Sequence, residues 1–185
     1  MKIKEVKTAK KVGDFELRND NNPNKIKINY NTGELSDEEL KEDVPRVYLI
    51  VSDGEIKKIG GSASKGGIKA TMSFYVNARS GSPGPVRFII HELIKRELEE
   101  RKKVELYMIT SPKVKSRVCG LFDCNKEIEV ASFKEMEDRC KEDYYNKEGK
   151  YPDWNFQENN ESYSKKYNDI YKEYLEYHEN RTAKK

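Results

Sequence analysis

The sequence lacks any long hydrophobic run. No segment of about 18 consecutive apolar residues, roughly the length that a membrane-spanning helix requires, occurs in the chain. The first residues also lack the short apolar stretch of a secretory signal peptide. We therefore expect a soluble protein that resides in the cytoplasm and has no membrane partner.

Cysteine is scarce. The chain contains only Cys119, Cys124 and Cys140, and an odd number in a long chain is not typical of a disulfide framework. Their spacing, even combined with His91 or His178, matches no standard set of zinc ligands. The sequence therefore predicts reduced thiols rather than disulfides or a zinc site.

An excess of charge of one sign is also missing. Lys and Arg number 36 and Asp and Glu number 33, so the net charge of +3 does not by itself indicate a nucleic-acid partner. Charged residues make up 37% and hydrophobic residues 35% of the 185 residues, which suits one compact core with additions. We expect a single domain over residues 1–185, with a core over about 46–158, an N-terminal arm over 1–45 and a C-terminal helix over 159–185.

The clearest structural signals lie in the middle of the chain. Two short β-branched segments flank Asp53-Gly54, which predicts a β-hairpin. Apolar residues at helical spacing then predict two helices, followed by a third strand. The fold class is therefore α/β (α+β): a small, mostly antiparallel sheet of about three or four strands, flanked by helices, with N- and C-terminal extensions. The predicted strands cover 47–51, 56–61, 104–109 and, as a fourth candidate, 127–130; the predicted helices of this part cover 68–78 and 85–103.

The two extensions carry weaker signals. In the arm, alternation over 25–30 predicts an edge strand, and Ser36 is a candidate helix cap. In the tail, tyrosines recur at helical spacing from Tyr163 to Tyr174. We interpret that stripe as packing against the domain or a second subunit rather than as a base-stacking surface.

The hairpin places a tyrosine and a lysine on one face of the sheet. Tyr48 lies early on its first strand and Lys58 on its second, and across a short turn both side chains can share a face. Here the chain resembles the GIY-YIG nuclease superfamily. Val47-Tyr48-Leu49 and Lys58-Ile59-Gly60 stand where the two tripeptides belong, and a Pro-x-x-Asn segment follows at 152–155. The resemblance covers about residues 46–158 and is greatest to the type II restriction endonucleases of this group.

The resemblance implies a role for each matching residue. Tyr48 would accept a proton from, or orient, the attacking water. Lys58 would replace the second tyrosine and lower the pKa of that phenol or water through its charge. Where the family carries an arginine on the next helix, this chain has Lys69, which keeps the charge but loses the bidentate geometry.

The resemblance also implies a glutamate on the third helix that holds one Mg²⁺ ion. Ser132 opens that helix, and Met136 and Cys140 belong to its apolar face. Glu137 borders this face and is our preferred ligand. Glu142 and Glu135 remain as alternatives, the former because its spacing to the Pro-x-x-Asn segment is closer to that of shorter relatives.

Cationic and titratable residues beside loop 79–85 predict a DNA-binding surface. Arg79 ends the first helix, and Arg87, His91 and Lys95 follow at four-residue spacing on the second. The predicted function is a Mg²⁺-dependent DNA endonuclease, a sequence-specific type II restriction enzyme that acts on double-stranded DNA as a homodimer. The alternatives are a DNA-binding protein of the same fold with a degraded site, motivated by the missing arginine, and an α/β interaction module.

Overall fold

The main element of the structure is a five-stranded antiparallel sheet. The structure is a computed structural model that describes residues 1–130 and 132–182. The strand order is β2-β1-β5-β3-β4, so β5 and β3 are central and β2 and β4 form the edges. The predicted α+β class is confirmed, with more strands than the sequence indicated. The strands are β1 Lys10–Leu17, β2 Ile26–Asn29, β3 Arg46–Ser52, β4 Glu55–Ser62 and β5 Val104–Thr110.

The predicted hairpin of β3 and β4 forms through a two-residue turn. Asp53 and Gly54 both have positive φ, 45° and 76°, and such turns match the twist of antiparallel strands. The register places Tyr48 opposite Gly60 and Ile50 opposite Lys58. Lys58 lies two positions before Gly60, the residue opposite Tyr48. The side chains of Tyr48 and Lys58 are therefore on the same face of the sheet as diagonal neighbours rather than directly opposite each other.

Helices cover both faces of the sheet. On the face that includes Tyr48 and Ile50, α2 and α3 bury a core that contains Met72 and Ile90. On the other face, α4 packs beside a second cluster around Leu49. None of the helices in the described part of the chain is long and apolar enough to cross a membrane. The helices are α1 Asp37–Lys41, α2 Gly67–Val76, α3 Pro85–Glu99, α4 Phe133–Glu148 and α5 Lys165–Thr182.

The segment predicted as an N-terminal arm contributes two strands to the main sheet. β2 confirms the predicted edge strand, whereas β1 was not predicted and pairs with the central strand β5. Val12 and Phe15 of β1 are buried in the core. The register shifts between Lys11 and Gly13, so the apolar residues lose the strict alternation by which a strand is recognised.

The predicted fourth strand forms, but outside the main sheet. Strands β6 Val114–Val118 and β7 Lys126–Val130 pair with each other in a separate two-stranded sheet. The turn between them contains a disulfide between Cys119 and Cys124, while Cys140 is free. The prediction of reduced thiols was wrong for the first two, because a hairpin turn that the sequence did not reveal brings them together.

The tyrosines of α5 pack on the body of the protein. Tyr167 is buried, and the rings of Tyr171 and Tyr174 lie 5.3 and 4.9 Å from that of Phe88. Their hydroxyls donate hydrogen bonds to the carbonyls of Pro83 and Gly81 at 2.7 and 2.6 Å. The stripe is thus a packing surface that also holds the loop between α2 and α3.

Replacing Gly67 with alanine is expected to destabilise the fold strongly. A Cβ at this position would overlap the Leu40 carbonyl and lie 2.6 Å from Cα of Lys41, and neither backbone atom can move freely. Gly149 has the same φ of 73° but nothing near its missing Cβ, so Gly149→Ala isolates the conformational strain, about 1 kcal/mol. We expect about 3 kcal/mol or more for Gly67→Ala, measured by urea denaturation. Equal losses in the two variants would show that the contact with α1 is unimportant.

Candidate active site

Strands β3 and β4 and helices α2 and α4 enclose a polar cavity of about 240 Å³. Its floor is the hairpin, and the segment after α4 also lines it, from Trp154 to Glu158. The side chains that supply its chemistry are Tyr48, Lys58, Tyr75, Glu137, Lys141 and Glu158. Two aromatic hydroxyls, two ammonium groups and two carboxylates therefore meet in one small space.

Tyr48 shares a short hydrogen bond with a second tyrosine. Its hydroxyl lies 2.7 Å from that of Tyr75, which α2 supplies, and their rings meet edge to face at 5.9 Å. Burial raises the pKa of Tyr48 well above its ordinary value, and burial also raises the pKa of Tyr75. Of the two groups on which Lys58 was predicted to act, the phenol and the attacking water, the phenol has a raised pKa, so Tyr48 is neutral near pH 7.

Lys58 lines the same cavity, and its side chain is almost completely buried. Its relative exposure is 9%, and within the described part of the chain its ammonium group has no hydrogen bond or ion pair. Burial lowers the pKa of Lys58, because a charged ammonium loses its hydration there. Lys58 can thus lose its proton more readily than a solvent-exposed lysine.

Glu137 and Glu158 form an acidic pair bridged by Lys141. The Lys141 ammonium lies 2.6 Å from Oε1 of Glu137 and also forms an ion pair with Glu158. Glu158 accepts a further hydrogen bond from Nδ2 of Asn155 at 3.2 Å. Asn155 is itself held by the backbone N–H and C=O of Ile59 on β4, so the Pro-x-x-Asn segment fixes one carboxylate to the sheet.

The three candidate glutamates of α4 differ in position. Only Glu137 lines the cavity. Glu135 is exposed on the outer side of the helix, and Glu142 is exposed with its Oε2 2.9 Å from Nη1 of Arg139. Gly61 explains how Glu137 reaches the cavity, since a Cβ on that glycine would lie 2.5 Å from Oε2 of Glu137.

The donor atoms of the cavity fit a hard divalent cation. No group of three or more His, Cys, Asp or Glu side chains arranged to hold a metal occurs within residues 1–130 and 132–182. Mg²⁺ does not require such a group, because it commonly takes one or two carboxylates and completes its shell with water and phosphate oxygens. Glu137 and Glu158 would supply the carboxylates once Lys141 moves aside.

Lys69, predicted as the substitute for the family arginine, lies elsewhere. Its ammonium forms an ion pair with Asp37 of α1 and lies 5.0 Å from the centre of the Tyr30 ring. It does not line the cavity. The side of α2 that faces the cavity carries Tyr75 instead, because Lys69 lies on the side of the helix that packs against α1.

The predicted stripe on α3 is not a continuous surface. His91 is completely buried and its Nδ1–H donates a hydrogen bond to the Tyr75 carbonyl at 2.8 Å, so it cannot contact DNA directly. The prediction failed because α3 is packed between the sheet and α5. Two sides of this helix are therefore buried, rather than one. Burial lowers the pKa of His91 and keeps the ring neutral. Lys95 lies 3.0 Å from Glu99 in an ion pair along the helix.

The two arginines of this region have different environments. Nε of Arg79 donates to Oε1 of the buried Glu92 at 2.7 Å, so this side chain is engaged within the fold. Arg87 is exposed, with its guanidinium 4.1 Å from the centre of the Phe74 ring. Both Arg87 and Phe74 line a groove of about 300 Å³ beside the α2–α3 loop.

Sequence reasoning missed three residues of the cavity. Tyr75 shares the helical phase of the apolar residues of α2, so spacing alone gives no reason to separate it from them. Lys141 lies four residues after Glu137, a spacing that does predict an ion pair on one helix face. Glu158 follows the Pro-x-x-Asn segment in a loop, and no local signal indicated its position.

Comparison with solved structures identifies the class of fold. The fold is shared with a phage endonuclease: a point mutant of EndoII from bacteriophage T4 matches with a TM-score of 0.50 and 19% sequence identity, covering 84% of this chain and 98% of that chain. The restriction endonuclease Hpy188I in complex with product DNA matches with a TM-score of 0.48 and 20% identity, covering 82% and 84%. No family model and no curated protein matches the sequence.

Replacing Lys141 with methionine is expected to tighten Mg²⁺ binding. The change keeps the length of the side chain but removes the ammonium that occupies both carboxylates. Calorimetric titration of the DNA-free protein should give a dissociation constant lower by about tenfold, or about 1.4 kcal/mol. Lys147→Met is the matched control, since it removes the same charge from the same helix but pairs with Glu5. An unchanged affinity in Lys141→Met would exclude Lys141 as a competitor of the ion.

Proposed function

We propose that the protein is a divalent-metal-dependent DNA endonuclease of the GIY-YIG type that hydrolyses phosphodiester bonds. One observation supports this above all: Tyr48, Lys58 and Glu137 come from three separate elements, and all line the same cavity. These are the residues to which the tripeptide resemblance assigns the phenol, the second tyrosine and the acidic ligand. The fold shared with phage T4 EndoII supports the same conclusion.

The protonation states suggest which side chain positions the water and which accepts its proton. Tyr48 is a neutral phenol whose hydroxyl is oriented by Tyr75, so it positions the attacking water rather than removing its proton. Lys58, with its lowered pKa, is the candidate base. The water oxygen attacks phosphorus, its proton passes to the Lys58 amine, and the bond to the leaving oxygen breaks. That oxygen takes a proton from solvent.

Glu137 and Glu158 would hold the metal ion in this proposal. A bound Mg²⁺ supplies charge stabilisation for the pentavalent transition state and for the leaving oxygen. Asn155 keeps Glu158 in place through its bonds to β4. The two carboxylates share the ammonium group of Lys141, while the phenols come from β3 (Tyr48) and α2 (Tyr75).

Arg87 is the best candidate for the phosphate contact that α2 does not supply. It is exposed and directly follows Val86, which lines the cavity, and its positive charge acts to lower the pKa of both Tyr48 and Tyr75 against the larger effect of burial. The groove that it shares with Phe74 and Asn77 offers polar groups and an aromatic face to a DNA strand. Sequence-specific cleavage of double-stranded DNA by a homodimer belongs to the same proposal.

A DNA-binding protein with an inactive site is the second candidate. The position of Lys69 favours it, because no cation from α2 reaches the cavity and Lys69 is paired with Asp37. The ion pair with Lys141 also occupies Oε1 of Glu137, so this carboxylate does not have both oxygens available for a metal ion. Both features agree with a protein that binds DNA but does not cut it, so cleavage itself must decide.

Mg²⁺-dependent cleavage is expected to require Glu137 and not Glu142. Glu137→Gln keeps the shape of the side chain but removes the charge that holds the ion, so cleavage of supercoiled plasmid should fall at least about 1,000-fold. Glu142→Gln, on the same helix but exposed, should cut at the normal rate. Gel-shift affinity should stay unchanged in both. No cleavage by the wild type with Mg²⁺ or Mn²⁺, combined with salt-dependent DNA binding, would select the second candidate.

The rate of cleavage is expected to rise with pH through the pKa of Lys58. The neutral amine is the active form, and burial shifts its pKa below the ordinary lysine value of about 10.4. Lys58→Arg keeps a positive charge that cannot be removed. The rise of the cleavage rate with pH should therefore vanish, and the rate should fall about 100-fold or more. Lys57→Arg is the control, because Lys57 is paired with Glu55 and Asp153. If the rate of Lys58→Arg still rises with pH in the same range, another group is the base.

A further inference from the structure

The two-stranded sheet β6–β7 exposes large apolar side chains at both of its ends. At the tip, Leu121 is 95% and Phe122 is 97% exposed, and at the base Val114 is 56% and Val130 is 41% exposed. An isolated two-stranded hairpin is only marginally stable in water. The exposure of an adjacent leucine and phenylalanine therefore needs an explanation beyond ordinary surface composition.

The apolar tip is held in a fixed shape. A disulfide joins Cys119 and Cys124 on either side of it. Inside this ring the Gly120 N–H donates to the Asp123 carbonyl at 2.7 Å, and the Asn125 N–H donates to the Asp123 carboxylate at 3.1 Å. A tip fixed in this way loses little conformational entropy when a partner covers it.

The two faces of the hairpin differ in chemistry. On one face the register sets Lys115 opposite Glu129 and Arg117 opposite Glu127, and Lys115 also lies 3.4 Å from Glu127. These charges compensate one another and suit contact with water. The other face carries mainly aliphatic side chains, and the apolar tip joins its two strands. Its members on the strands are Val114, Ser116, Val118, Lys126, Ile128 and Val130.

We propose that the aliphatic face and tip of this hairpin bind the same hairpin of a second copy of the chain. The charge of the hairpin argues for a protein occupant and against DNA. Three cationic and three anionic side chains cancel over residues 114–130, whereas a DNA-binding element needs a positive excess. The six charged residues are Lys115, Arg117, Asp123, Lys126, Glu127 and Glu129.

A two-fold arrangement explains why both ends of the hairpin are apolar. In an antiparallel pair related by two-fold symmetry, Leu121 and Phe122 of each copy lie on Val114 and Val130 of the other. Covering these four side chains in both copies buries roughly 1,000 Å², the lower range of specific interfaces. A tip that met only another tip would leave the exposed valines at the base uncovered.

The position of the hairpin gives the interface a consequence for the cavity. Helix α4 starts three residues after the last residue of β7, and Phe133 in its first turn packs against Gly61 on β4. Glu137 follows one turn later. A dimer formed through the hairpins would therefore bring two cavities into one assembly, as cutting both strands of a duplex requires. This consequence rests on the proposed function, but the interface itself does not.

The test is the mass of the full-length protein in solution. Sedimentation velocity over a concentration series should show a wild-type dimer, and Leu121→Ser with Phe122→Ser should raise the dimer dissociation constant about 100-fold or more. Lys115→Ser with Glu129→Ser is the matched control, because it changes two side chains of the charged face without changing net charge. It should remain dimeric. Titration of one free thiol per chain, that of Cys140, verifies an intact disulfide turn in each variant.

Mixing two defective variants tests the tip-on-base geometry. The tip variant, Leu121→Ser with Phe122→Ser, keeps the valines of the base. The base variant, Val114→Ser with Val130→Ser, keeps the apolar tip. An intact contact of tip and base can therefore form only in a dimer that contains one copy of each variant. The mixture should associate at least about tenfold more tightly than either variant alone. A monomeric wild type, or a tip variant that dimerises normally, would overturn the proposal. A monomeric wild type whose tip variant loses DNA affinity would assign the tip to DNA instead.

Discussion

The candidate site depends on two adjacent glycines of the edge strand β4. Gly60 lies opposite Tyr48, and a Cβ there would overlap the hydroxyl end of the Tyr48 ring. Gly61 faces the other side, where a Cβ would press on Glu137 and Phe133. With both side chains absent, the ring can lie across the strand from one face, and the carboxylate of α4 can reach the cavity from the other. The cavity exists at a sheet edge because the edge has no bulk at these positions.

Burial sets the chemistry of the groups that the glycines admit. The two phenols share one hydrogen bond in a site that disfavours phenolate, so both remain neutral. The same burial acts on Lys58 in the opposite sense, because it disfavours the protonated amine. Glu137 and Glu158 share the ammonium group of Lys141, which provides the positive charge that two close carboxylates need. The cavity thus has one buried amine beside two neutral phenols, and an ion-paired cluster of charges at α4.

The elements outside the central hairpin act mainly by restraining the site. The hydroxyls of Tyr171 and Tyr174 hold carbonyls of the loop between α2 and α3, next to the groove that contains Arg87. His91 holds the carbonyl of Tyr75 from within the core and so fixes the last turn of α2. These contacts come from α5 and α3, and of the side chains in the proposed reaction only Arg87 belongs to either helix. They limit how far the phenols and the groove can move relative to each other.

The sequence by itself determined the hairpin and the helices, because these depend on turn residues and on apolar spacing along one segment. Its resemblance to the GIY-YIG superfamily marked Tyr48, Lys58 and Glu137 as candidates. Tertiary structure decided the rest. The bulge in β1 hid a strand that only its pairing with β5 defines, and the packing of α2 against α1 turned Lys69 away from the cavity. The layer of α5 over α3 buried His91, and the meeting of β4, α2 and the loop after α4 brought in Tyr75 and Glu158. Such contacts join residues far apart in the chain, and their energies depend on burial and on the neighbouring element, neither of which is encoded in local spacing.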